Sequence, residues 1–181
     1  IVTEELCYYD KYPQTSQLTR KDFIDSKGDT VRDIFLYPTD NSLNPPYNEM
    51  VQKNMINIPV KTTTIKKSVT VKTAELKYHS WGSGIFAPKS SLSQKGVGAP
   101  YTTSEAIAYD EKGNVLTMSG IDKLKKSFIY AHQLQYPIAA VMNALYTEIA
   151  YTSFEAPETG NWTYSDTTRD RTDAITGKQA Y

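Results

Sequence analysis

Short runs of β-branched and aromatic residues, broken at close intervals by Gly, Pro, Asn and Asp, dominate this chain. That punctuation predicts strands joined by tight turns. Val2 to Tyr9 reads as a first strand, Asp10 to Gln17 as a turn around Pro13, and Leu18 to Ile24 as a second strand. Asp25-Ser26-Lys27-Gly28-Asp29 is a tight turn in which Gly28 can take positive φ. Thr30 to Tyr37 follows as a third strand, ended by Pro38. Three strands with short connections make a meander.

Residues 38–48 carry Pro38, Pro45 and Pro46 and read as a loop. Tyr47 to Asn54 predicts a short helical turn with Met50 and Val51 inward. Val60 to Tyr78 predicts two strands around a turn at Lys66-Lys67-Ser68, with the lysines on a solvated face. Ser80-Trp81-Gly82-Ser83-Gly84 and the Ser- and Gly-rich stretch from Ser90 to Pro100 read as flexible connections. Ser104–Tyr109, Val115–Ser119 and Ser127–Tyr130 read as further strands, with Gly113-Asn114 and Gly120 at or near the turns. Over 136–150, Ile138, Val141, Met142, Leu145 and Ile149 recur at helical spacing behind Pro137. Periodicity alone gives an amphipathic helix; a strand to about Met142 followed by a helical turn competes with it. From Thr152 the texture becomes more polar, which puts a boundary near residue 150.

Composition sharpens the class. Only 39% of the 181 residues are hydrophobic, yet there are 14 Tyr, 5 Phe and 2 Trp. Tyrosine suits a half-buried pleated surface, because its ring packs while its hydroxyl reaches a partner. The expected fold is all-β, mainly antiparallel hairpins and a meander, with at most one or two short helices. Twenty basic residues balance twenty acidic ones, so no basic face points to nucleic acid or to anionic membrane. No apolar run is long enough for a transmembrane helix. Ile1-Val2-Thr3-Glu4-Glu5 lacks the features of a signal peptide and reads as the interior of a strand. The chain is therefore expected to be a piece of something longer.

Two stretches resemble units of the bacterial YD-repeat (RHS-repeat) family. The clearer is Tyr109-Asp110-Glu111-Lys112-Gly113-Asn114-Val115-Leu116. The other is Tyr9-Asp10 followed by Leu18-Thr19, where Pro13 to Gln17 replaces the usual Gly-Asn; Asp25 to Thr30 is similar to the hairpin turn that often follows. In such a unit Tyr packs on a strand face, Asp accepts hydrogen bonds from turn amides, and Gly takes positive φ. Neighbouring units must then cover each other's faces. Tyr136-Pro137-Ile138-Ala139 resembles the segment after the last repeats of long secreted members, which favours a strand from Tyr136 to about Val141 and a helical turn around Ala144 to Glu148. Ile149 to Glu155, with Gly160-Asn161-Trp162, is similar to the first strand of a carbohydrate-binding-like jelly-roll module. The resemblance implies a YD-repeat region over 1–150 and the incomplete start of a jelly roll over 151–181.

Chemistry is sparse. Cys7 with His79 or His132 as base would be a nucleophile–base pair, but no local spacing supports it, and a buried or half-buried strand thiol is the ordinary fate of such a cysteine. Glu155 with Asp166, Asp170 or Asp173 offers oxygen ligands of the kind calcium takes, without an EF-hand spacing. Trp162 and Tyr164 would stack on sugar rings if exposed, although core packing is the commoner role of a tryptophan. No catalytic residue and no cofactor is expected. The expected role is a non-catalytic structural or interaction segment of a secreted or cell-surface bacterial protein. Its partners would be other domains of its parent or a secretion or surface complex. A glycan- or surface-binding module and a secretion cargo are the alternatives.

Overall fold

The computed structural model describes residues 4–11, 13–165, 172 and 177. Among the described residues, ten strands are hydrogen-bonded in chain order, each beside its sequence neighbours, in an antiparallel meander. They are β1 (Glu5–Tyr8), β2 (Arg20–Ile24), β3 (Thr30–Leu36), β4 (Lys61–Lys66), β5 (Val69–Ser80), β6 (Phe86–Lys95), β7 (Tyr101–Tyr109), β8 (Val115–Gly120), β9 (Lys125–Ala131) and β10 (Tyr136–Met142). Among the described residues the helices are one short α-helix, α1 (Tyr47–Gln52), and two 3₁₀ turns at Pro38–Asn41 and Tyr146–Glu148. The all-β reading therefore holds, including strand followed by helical turn after Tyr136. The helical period over 136–149 loses to the ladder that pairs Tyr136 with Ala131 and Met142 with Lys126. The register shifts between Pro137 and Ala139, beside the residue that has no N–H to give the ladder.

One expectation fails clearly. Ser90 to Lys95 is strand, the second half of β6, and only the turn after it is irregular. Serine favours local backbone bonds and so reads as loop. Here ladders on both sides override that preference: Ser91 lies opposite Leu76 on β5 and Ser104 on β7. Residues 149–155, where the resemblance implies a first jelly-roll strand, contain no strand.

The chain forms two compact units, 1–105 and 106–181. In the first, Val31, Tyr37, Met50, Val60, Phe86 and Ala87 are buried. Met50, on α1, has 0% of its surface exposed, which matches its inward placement. Tyrosines hold this unit by their hydroxyls: Tyr37 donates to Leu18 O at 3.0 Å and Tyr47 to Leu76 O at 3.4 Å. Two hairpin tips are clamped by charge. Lys66 Nζ pairs with the carboxylates of Asp25 and Asp29, and Lys67 Nζ reaches Asp29 Oδ1 at 3.0 Å. The solvated lysines expected at this turn are thus partly engaged.

In the second unit the inward face is small and hydroxylated. Ile129, Ala131 and Ala156 are its buried hydrophobic residues, beside Thr117, Ser119 and Ser127. Along β9 the buried positions are Ser127, Ile129 and Ala131, while Phe128 and Tyr130 lie half-buried on the other face.

Candidate functional site

At the β7–β8 connection, Asp110 Oδ1 accepts from Lys112 N at 2.9 Å and from Asn114 N at 2.8 Å. Gly113 has φ +85° and donates to Asp110 O at 3.1 Å. Asn114 Nδ2 bridges Asp110 Oδ2 and Leu134 O, both at 2.8 Å. At the β2–β3 connection the same frame recurs. Asp25 Oδ1 accepts from Lys27 N at 2.9 Å and Asp29 N at 3.0 Å, and Gly28 has φ +80°. The shared pattern is Asp-x-Lys-Gly-Asp/Asn. A carboxylate that reads the amides two and four residues on, with glycine between, is a self-contained hairpin device.

Tyr9-Asp10 is built differently. Asp10 Oδ2 accepts from Thr19 Oγ1 at 2.8 Å, and Thr19 Oγ1 takes the Asp10 amide at 3.2 Å. With no glycine at the fourth position, Asp10 closes a long loop through a side chain across the hairpin. Tyr9 is half exposed, and Tyr109, at the end of β7, is half-buried.

After the 3₁₀ turn at Tyr146–Glu148 the chain loops back on itself. Tyr151 N donates to Gly160 O at 2.8 Å, closing a strap. Gly160 has φ +57°, and a Cβ there would overlap the Tyr151 carbonyl. Asn161 Nδ2 donates to Tyr146 O and Ile149 O, each at 2.9 Å. On this strap Phe154, Trp162, Thr163 and Tyr164 line a hollow of about 340 Å³. The Phe154 and Tyr164 rings meet edge-on, centroids 5.7 Å apart. Trp162 is 55% exposed rather than packed in a core. The reason is local: the closure at Gly160 and the Asn161 anchor use up the turn, and the next side chain projects outward.

The remaining sequence candidates do not converge. Cys7 is exposed on β1, opposite Lys21, not buried as its type suggests; β1 ends the strand order, so only β2 flanks it. His79, on β5, lies edge-on to Trp81 at 5.2 Å, and His132 lies in the β9–β10 turn beside Tyr136 at 6.2 Å. Among the described residues no group of three His, Cys, Asp or Glu side chains is close enough to hold a metal. Asp166, Asp170 and Asp173, the expected calcium partners of Glu155, lie outside the described residues.

Two constellations escaped the sequence reading. One is a hydroxyl chain through Thr117 and Ser127, described below. The other is Glu158, whose carboxylate accepts from the consecutive amides of His132 (3.1 Å) and Gln133 (2.6 Å). A turn of three successive non-glycine residues at positive φ, with no glycine signal, hid the second.

No known protein family, no curated protein and no solved structure matches the chain.

Proposed function

We propose that this chain is a non-catalytic structural or interaction segment of a secreted or cell-surface bacterial YD-repeat protein. The observation that carries the reading is the recurrence of one turn device. Asp25–Asp29 and Asp110–Asn114 share residues, hydrogen bonds and a positive-φ glycine, and each joins neighbouring strands of a meander. Such hairpins repeat as a wall whose faces need covering. Large apolar side chains stay exposed along it, among them Leu6, Ile24, Val69, Val71 and Met142. The surfaces that would cover them belong to other domains of the parent or to a secretion or surface complex. The test is a thermal melt followed by near-ultraviolet circular dichroism. A wall segment is expected to melt broadly alone and sharply when extended by its parent's flanking sequence. A single sharp transition of the isolated chain, unaffected by extension, refutes the reading.

The aromatic hollow favours a second reading, a carbohydrate-binding module. An exposed indole beside two further rings offers flat apolar faces to a pyranose, and the volume falls within the range of about 300–1,000 Å³ usual for small ligands. Glycan titration followed by tryptophan emission, with Trp162→Ala as the comparison, decides it. Binding that survives the substitution, or no binding to any glycan tried, removes this reading.

A further inference from the structure

We propose that the strap from Tyr151 to Asn161 is a reversible latch, fastened by the Glu158 carboxylate on the backbone amides of the β9–β10 turn and released when that carboxylate is protonated. The inference is independent of which ligand, if any, the aromatic hollow takes.

The turn is built for an anion and costs energy to hold. His132, Gln133 and Leu134 have φ of +56°, +62° and +62°. Left-handed backbone is unfavourable for a non-glycine residue, so three in succession need external support. Two supports are present. Asn114 Nδ2 donates to Leu134 O at 2.8 Å, and Glu158 accepts from the amides of His132 and Gln133. Successive amides pointing to one side form an anion-binding concavity, and here the anion comes from the same chain, 25 residues on.

The fastening is separable from the fold beneath it. The Glu158 carboxylate accepts from two backbone amides of an exposed turn and from its own amide, whereas β8 and β9 are held by their own ladder. Ala156, two residues earlier, is 3% exposed, so release of the carboxylate must also uncover that methyl group. Burial raises the Glu158 carboxyl; the amides of Gln133, of Glu158 itself and of His132 outweigh it and leave the group below the ordinary glutamate range. The His132 side chain beside it also favours the carboxylate. A lowered folded-state value means the latch is fully fastened above the unfolded glutamate range and is lost as the pH falls through the folded value. Phe154 lies within the strap, while Asn161 stays anchored to Tyr146 O and Ile149 O whatever the state of the carboxylate.

The test is amide exchange by NMR on the full chain, comparing Glu158→Ala and Glu158→Gln with the parent. At neutral pH, Glu158→Ala is expected to speed exchange at His132 and Gln133 by roughly 10- to 100-fold, the range for hydrogen bonds to a charged acceptor. Exchange at Ile129, in the core of β9, should stay unchanged. Glu158→Gln, which keeps one neutral acceptor, should fall between. Acidifying the parent should reproduce the loss at the two turn amides after correction for intrinsic rates, and Glu158→Ala should show no such step. Unchanged turn amides in Glu158→Ala overturn the proposal. So does Ile129 accelerating in step with them, because the strap would then be part of the cooperative core. Absence of the acid step in the parent overturns the pH-dependent release.

Discussion

Replacing Ser127 with Ala tests how the second unit is held together. Ser127 has 0% of its surface exposed and Thr117 1%, and they lie directly opposite each other on β9 and β8. Ser127 Oγ donates to Ala144 O at 2.7 Å. A serine hydroxyl has one proton, so the 2.8 Å contact between the two hydroxyls must be donated by Thr117. Thr117 Oγ1 in turn accepts the Tyr146 amide at 3.0 Å. The result is one directed chain, Tyr146 N–H to Thr117 to Ser127 to Ala144 O. It sutures the segment after β10 onto the sheet. Ser127→Ala breaks two of its three hydrogen bonds and leaves the part-buried Ala144 carbonyl without this donor. At about 0.5–1.5 kcal/mol per bond, the two bonds put the expected loss at roughly 1–3 kcal/mol. Thr117→Val also breaks two bonds and orphans the Tyr146 amide, so its cost should be similar. The double variant breaks three bonds rather than four, because the bond between the hydroxyls is shared. Its cost should fall short of the sum by about 1 kcal/mol. The assay is urea-dependent amide exchange at Ile129 and Ala131, which reports the stability of this unit alone. Strict additivity, or a loss below about 0.5 kcal/mol for either single variant, would refute the chain as drawn.

Other outcomes follow from the same geometry. Gly160→Ala should open the strap, since the added methyl overlaps the Tyr151 carbonyl at a backbone conformation alanine disfavours; limited proteolysis within 151–161 should become faster, and unchanged cleavage would argue against the closure. The Asp25 carboxyl is pushed down to about 2, first by Lys66 and then by the amides of Asp29 and Lys27. Its contribution to stability is therefore present above the unfolded aspartate value and disappears as the pH falls towards 2. Lys66→Met should flatten that acid dependence in a pH series of urea melts, and an unaltered acid limb would show that the clamp is not its source.

The sequence by itself determined the class and most of the strand positions. Alternation broken by Pro, Gly and Asp marks nearly every turn, because each such residue imposes a backbone geometry that needs no tertiary partner. Asp110 and Gly113 are legible for that reason, and so are Asp25 and Gly28. Tertiary structure decided what depends on partners distant in sequence. Ser90 to Lys95 becomes strand only because β5 and β7 lie on either side of it. Sequence also leaves open which face of β9 turns inward, since one residue of register exchanges the faces. The fold buries Ser127, Ile129 and Ala131 and leaves Phe128 and Tyr130 half-exposed, because the segment around Ala144 and Tyr146 packs close enough to hydrogen-bond the Ser127 and Thr117 hydroxyls. Glu158 carries no local signal at all. Its partners are backbone amides of a turn whose left-handed residues are ordinary in sequence, so only the folded chain brings carboxylate and amides together.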